Sequence, residues 1–599
     1  MRLKIVFSIM VVVWITLISR VYYLSIKASD YYTDIAKSNA IKTNYLPPVR
    51  GQIMDSTGNA LAINRLGFSI FLAPHLKASD LDTEVKYLSN LFIDINATEV
   101  EKTYKRNNSL YNQDFIEVVD FLNYDDVVPH FSELNLRDNL KVESKSIRFY
   151  PYNDLASHII GYVGKANAKD MENNPLSKLT NKIGKSGVES YYNEELQGER
   201  GARKTKVTAL NKVVEEIFYE KPTSKDIELH INMELQKFLK ELFKDKAGAV
   251  VIMDVNTGAI IGAGSYPEYE LNPFVTGISS KEWRELIEDL DHPFTNKLIN
   301  GLYPPGSVIK MGVGMSFLNS GLITKEQEYR CGGYIELGGR KFRCWKTWGH
   351  GKINLNDAIR ESCDVYFYEG SLVVGIDYIS ANLQKYGLGK KTGIDLPNEF
   401  IGVVPNKAWK MEKYNQPWYM GETVITSIGQ GNFLVTPMQI AKYTAELASG
   451  KGLTPHFIRK IDGKDVEFKT TEIFNAFEKE QLPYIRKAMF EVAHHQKGTA
   501  SKYFKGIPIN IGAKTGTAQV VGIPQSELVR MKEKDMEYYH RSHAWLTSFG
   551  PYENPKYAVT VLVEHGGGGS SAGSPIVKKI YEKLIEMGYI DIPNTSNKK

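Results

Sequence analysis

The C-terminal half of this chain carries two groups of apolar, β-rich runs separated by a long helical stretch, and that order limits the folds open to it. Residues 249–254 and 259–263 flank the turn Asn256-Thr257-Gly258 and read as a hairpin. Helical patterning dominates from about 280 to 500, and three further strand candidates follow at 507–513, 544–549 and 557–564. Two strands, many helices and three strands predict one antiparallel five-stranded sheet assembled across a helical insertion.

The rest of the 599 residues must form other units, because single cores stop growing well below this length. Arg2 and Lys4 precede an uncharged apolar run from Ile5 to Ile18, which Val21 to Leu24 extend past Arg20. Arg20 can snorkel and Tyr22-Tyr23 suit an interface, so 5–24 is expected to span a membrane. No small-x-small cleavage site follows, which favours an uncleaved anchor over a signal peptide. The basic residues then place a short stub, 1–4, in the cytoplasm and everything after about residue 25 outside it. Residues from about 76 to 145 are polar and rich in Asp, Asn and Lys with short helical patterns, the mark of a small inserted subdomain. Gly184-Lys185-Ser186-Gly187 resembles a phosphate loop only superficially, since Leu179 stands where that loop needs glycine; it reads as a turn before a helix. The expected boundaries are 25–225 for an N-terminal domain with the 76–145 insertion, 226–590 for a catalytic domain, and 591–599 for a disordered tail. The net charge of +5, from 74 basic and 69 acidic residues, gives no case for nucleic acid.

Three short constellations carry chemistry. In Tyr303-Pro304-Pro305-Gly306-Ser307-Val308-Ile309-Lys310 the prolines and glycine place Ser307 at a helix start, and Ser307 and Lys310, three apart, share a face. A serine hydroxyl needs a base within hydrogen-bond reach, and lysine serves when neighbouring cations or burial lower its pKa. Ser362-Cys363-Asp364 follows a helical segment, and Lys514-Thr515-Gly516-Thr517 ends a strand candidate. Each alone is common by chance. In this order and these contexts they match the set found in penicillin-recognising serine acyltransferases.

The catalytic half therefore resembles the transpeptidase domain of class B penicillin-binding proteins. Gly429-Gln430-Gly431, Thr436-Pro437-Met438-Gln439, His543-Ala544-Trp545 and Phe549-Gly550-Pro551 add to the likeness, and Arg50-Gly51 and Gly187-Val188-Glu189 resemble the family's pedestal. Ser-x-Asp in the second constellation resembles the elongation subclass. The resemblance implies a multidomain α/β architecture: a transmembrane helix, an elongated mixed α+β pedestal with a small head insertion, and a serine β-lactamase-like domain with a five-stranded antiparallel sheet and helices. It implies a D,D-transpeptidase that cross-links peptidoglycan stem peptides and is acylated by β-lactams, with D,D-carboxypeptidase action as a side reaction. Ser307 would be the nucleophile and Lys310 its base, with Ser362 relaying a proton beside Asp364. Lys514, Thr515, Gly516 and Thr517 would hold the substrate carboxylate. Implied partners are a RodA-type SEDS glycosyltransferase and an MreC-type scaffold at the inner membrane. The competing functions are a non-catalytic activator of that polymerase and a β-lactam sensor or hydrolase.

The only cysteines, Cys331, Cys344 and Cys363, lie in one segment with His350 among them. Three thiolates and an imidazole make a closed tetrahedral set for structural zinc. If Ser362 and Asp364 point into the site, Cys363 points away, where a metal would brace the second constellation. A Cys331–Cys344 disulfide and three unrelated thiols are the alternatives. His494-His495 lacks metal spacing and is expected at the surface. The Gly566–Gly569 run is expected to be a flexible turn.

Overall fold

The structure, a computed structural model, describes residues 2–32, 41–93, 95–112, 114–208, 213–522 and 531–592. Most of the tail expected at 591–599 lies outside the described residues. Among the described residues one helix, Arg2–Lys27, is long and apolar enough to cross a membrane, with mean hydropathy 2.1 and none of its apolar window buried. An apolar face left so bare is unfavourable in water and suited to lipid.

Packing divides the chain into two compact units. The first comprises 1–51, 166–183 and 197–225. It holds an antiparallel sheet in which Gly201–Val207 lies between Ile41–Leu46 and Val213–Glu220. Every residue of the outer strand Val213–Glu220 is exposed.

The second unit comprises 52–165, 184–196 and 226–599. Its insertion is built on the long strand Ala60–Leu72, flanked by Ile116–Asn123 and Leu140–Phe149. Helices Ala78–Leu91 and Ala97–Asn107 close a separate small core of Phe68, Ile70, Leu81, Leu88 and Tyr104. Asn96 starts the second helix by accepting the N–H groups of Thr98 and Glu99. The same sheet runs on through Ile53–Met54 to Ile227–Leu229, which pairs parallel with it, and then to Ile458–Ile461.

The catalytic sheet comprises β1 (Gly248–Asp254), β2 (Ile260–Tyr266), and, after the helices, β3 (Gly512–Ala518), β4 (His543–Gly550) and β5 (Tyr557–Val563). The order is β2-β1-β5-β4-β3, and the sheet is antiparallel throughout, as expected from the sequence. Asp254 closes the first hairpin by accepting the N–H groups of Asn256 and Thr257. The central strand β1 is apolar without alternation because both its faces are covered: Ala249, Val251 and Met253 join one core, and Val250 and Ile252 the other. Between β2 and β3 come α1 (Lys310–Asn319), α2 (Asp364–Val374), α3 (Pro437–Ser449) and α4 (Ala476–His494). A final helix, α5 (Gly569–Glu586), follows β5. All of α1 except Asn319 is buried, so it is an interior helix with no amphipathic face.

Candidate active site

The chain enters α1 through a tight turn. Gly306 has φ +57, and a Cβ there would lie 2.7 Å from the carbonyl oxygen of Thr517. Its N–H donates to the Gly429 carbonyl at 2.8 Å. Gly306–Ile309 form a 3-10 turn in which Ser307 is partly exposed while Val308 and Ile309 are buried. The N–H of Lys310 donates back to the Ser307 carbonyl, tying the two residues' backbones together.

The Lys310 amine is fully buried. It donates to Asp364 Oδ1 at 2.7 Å, to the Ser362 carbonyl at 3.1 Å and to Ser362 Oγ at 3.4 Å. The Lys514 Nζ reaches the same hydroxyl at 2.9 Å and also donates to the Thr515 carbonyl at 2.8 Å. Two lysine heads thus converge on Ser362 Oγ. Ser362 has φ +55, a conformation that costs about 1–2 kcal/mol for a residue with a side chain. Burial, and then the charge on Lys310, push the Lys514 amine well below the usual lysine value.

The third constellation lies on the free edge of the sheet. Gly516 needs to be glycine: a Cβ would meet Val308 Cγ1 at 2.9 Å and the Pro305 carbonyl at 3.1 Å, so β3 packs directly on the Ser307 turn. The Thr517 carbonyl accepts from Gln430 Nε2 at 3.0 Å. In an antiparallel strand one residue's N–H and C=O point the same way, so the Thr517 N–H also points away from β4. Thr515 Oγ1 lies 2.8 Å from Thr499 Oγ1, and Ser570 Oγ donates to the Thr499 carbonyl at 2.6 Å.

Cys331, Cys344, Cys363 and His350 come together with their ligand atoms all within 4.8 Å of one another. The three cysteines are buried and unbridged. His350 Nδ1 stands 3.5 Å from the Cys331 sulfur and 3.6 Å from that of Cys344. The cluster could hold a metal ion. It touches the second constellation through the main chain: the Asp364 N–H donates to Cys344 Sγ at 3.4 Å, and the Trp345 N–H donates to Asp364 Oδ2 at 2.9 Å. The Trp345 indole donates to the Glu361 carbonyl at 3.0 Å.

Residues 248–584 match the family described as the penicillin binding protein transpeptidase domain, and 45–229 match the penicillin-binding protein dimerisation domain. The chain belongs to the penicillin-binding protein transpeptidase family. Peptidoglycan D,D-transpeptidase MrdA of Escherichia coli K12 is 33% identical over 589 residues, covering 95% of this chain and 91% of that protein. The PBP2 chain of a PBP2–MreC complex from Helicobacter pylori is 42% identical, with a TM-score of 0.85 over 92% of this chain and 99% of that one. A chain from a peptidoglycan synthase complex that coordinates polymerization and crosslinking is 26% identical, with a TM-score of 0.70 over 99% of this chain and 100% of that one. The protein is therefore a homologue of the elongation-type peptidoglycan D,D-transpeptidases, with their pedestal and catalytic domains.

In this transpeptidase three local expectations need correction. The third constellation does not end a strand at 507–513; it is the strand, Gly512–Ala518, because pairing with Trp545 and its neighbours on β4 outweighs the β-branched residues upstream. His494 is half-buried, and its Nε2 accepts the Ile511 N–H at 3.1 Å. The Gly566–Gly569 run is a packing device as well as a turn: a Cβ on Gly569 would lie 2.1 Å from the Gly516 carbonyl oxygen. Thr499 and Trp345 entered the site unannounced. Neither lies in a recognisable pattern, and only the folded chain brings them to Thr515 and Asp364.

Proposed function

We propose that the chain cross-links peptidoglycan stem peptides, with Ser307 attacking the carbonyl between two terminal D-alanines. The convergence of Lys310 and Lys514 on Ser362 Oγ carries this reading. Asp364 holds the Lys310 amine in an ion pair, while burial and the charge on Lys310 favour the neutral form of Lys514. A substrate carboxylate held by Lys514, Thr515 and Thr517 beside Gly516 favours a cation at Lys514. One proton then passes from Lys310 through Ser362 to Lys514, and Lys310 becomes the amine that takes the Ser307 proton. The N–H groups of Ser307 and Thr517 stabilise the oxyanion. Collapse breaks the D-Ala–D-Ala amide, and Ser362 passes a proton to the leaving amine. The Ser307 ester is then attacked by the amine of a second stem peptide, or by water in a carboxypeptidase side reaction. A β-lactam enters by the same attack and stays as the acyl-enzyme.

The bare N-terminal helix supports an anchor in the cytoplasmic membrane, with Arg2 and Lys4 inside and the catalytic domain outside. The likeness to the PBP2 of a PBP2–MreC complex supports an MreC-type partner, and the synthase-complex relative supports a RodA-type glycosyltransferase. Cys331, Cys344, His350 and Cys363 would hold zinc. Their donor types, count and spacing fit a closed structural site, in which the ion supplies cross-linking of the loop to α2.

The deciding experiment is labelling with a fluorescent penicillin. The label should sit on the peptide containing Ser307, and Ser307→Ala should abolish it while leaving the circular dichroism unchanged. Equal labelling of Ser307→Ala would overturn the assignment.

A further inference from the structure

Lys310 is the first residue of α1, and Ile309 holds the position just before it, where a helix ordinarily places Ser, Thr, Asp or Asn. Isoleucine cannot cap, and α1 has no capping side chain of its own. The N–H of Gly312, the third helical residue, lies where the 3-10 turn Gly306–Ile309 passes into α-helix. It donates to the phenol oxygen of Tyr443, a fully buried residue of α3. The same hydroxyl donates to the Ile309 carbonyl at 3.4 Å. Gly312 is shaped for this: a Cβ there would lie 2.9 Å from the phenol oxygen. Burial raises the phenol's pKa, so it remains a hydroxyl able to accept and donate at once.

We infer that Tyr443 is a positioning residue for the acylation step, capping α1 from a neighbouring helix and thereby fixing the Ser307 turn against Lys310. The Tyr443 hydroxyl grips both sides of the junction where the 3-10 turn becomes α-helix. Ser307 lies on the turn side of that junction and Lys310 on the helix side. Without the hydroxyl, the first turn of α1 is free to rewind between 3-10 and α bonding, a change that moves Ser307 relative to the Lys310 amine.

The inference rests on Ser307 and Lys310 as nucleophile and base, and the test separates the two claims. The full chain in detergent, as wild type, Tyr443→Phe and Ser307→Ala, is reacted with a fluorescent penicillin. Label at saturation and acylation rate against concentration are read separately. Tyr443→Phe should label every chain at saturation, with initial binding unchanged and the acylation rate constant reduced about 3- to 10-fold, as loss of one buried hydrogen bond implies. A Tyr443→Phe rate equal to wild type, a loss only in the labelled fraction, or failure of that variant to fold overturns the positioning role. Labelling of Ser307→Ala would instead overturn the nucleophile assignment, whatever Tyr443→Phe did.

Discussion

Lys514 and Asp364 serve the same small group of atoms, yet they are held by different physics. Lys514 sits in β3, where the ladder with β4 and the close approach of Gly516 to the Ser307 turn fix its backbone. Asp364 begins a helix after a strained serine. Its carboxylate is held by the Trp345 amide, and its own amide by Cys344. One side of the site is thus set by main-chain pairing, which forms wherever the sheet forms. The other is set by side-chain chemistry that must be completed locally. A catalytic site can combine the two because they meet at one atom, Ser362 Oγ, which Lys514 reaches from β3 and Lys310 from α1.

The contrast is most directly broken at the thiol cluster. His350→Ala, or exposure to a strong chelator, should destabilise the protein by roughly 4 kcal/mol, the scale of a lost structural metal, and slow penicillin acylation. Amide exchange should accelerate across 331–364 and stay slow in β3. Elemental analysis should give close to one zinc per chain; metal-free protein with unchanged melting would remove the cluster from the argument. On the ladder side, Gly569→Ala should cost about 1–3 kcal/mol, because its methyl group would press on the Gly516 and Trp545 carbonyls. That variant should lose exchange protection in β3 and keep it at 331–364; a uniform loss would show that the two sides unfold as one.

The smallest effect concerns Lys514 itself. Its folded pKa lies below its unfolded value, so the unfolded chain binds the extra proton between the two, and stability rises with pH across that window. Lys514→Met removes the term. Its melting temperature should exceed that of wild type by a few degrees at pH 6, and the advantage should shrink as the pH approaches the ordinary lysine value of about 10.4. An advantage that grows with pH would mean that the amine is charged in the fold.

Much of this was legible in the residues. The hairpin at 249–263, the five strands, the helix start at Ser307 and the meeting of Cys331, Cys344, His350 and Cys363 all follow from local pattern and residue type. The register of β3 was not, because an edge strand is decided by its partner. Thr499, Trp345 and Tyr443 were not, because their value lies in contacts across 16, 19 and 131 positions of chain. A tyrosine that caps another helix looks, in sequence, like any core aromatic.

The sheet that runs through Ile227–Leu229 has a consequence for synthesis. Ile53–Met54 emerges from the ribosome early, but its parallel partner lies at 227–229, and that strand's other edge is covered only by Ile458–Ile461. For most of translation the nascent chain therefore displays an unfinished strand edge, able to pair with a neighbouring copy. The order of manufacture and the order of assembly are at odds here. A fragment beginning near residue 226 would carry the same open edge permanently, and should aggregate where the full chain does not.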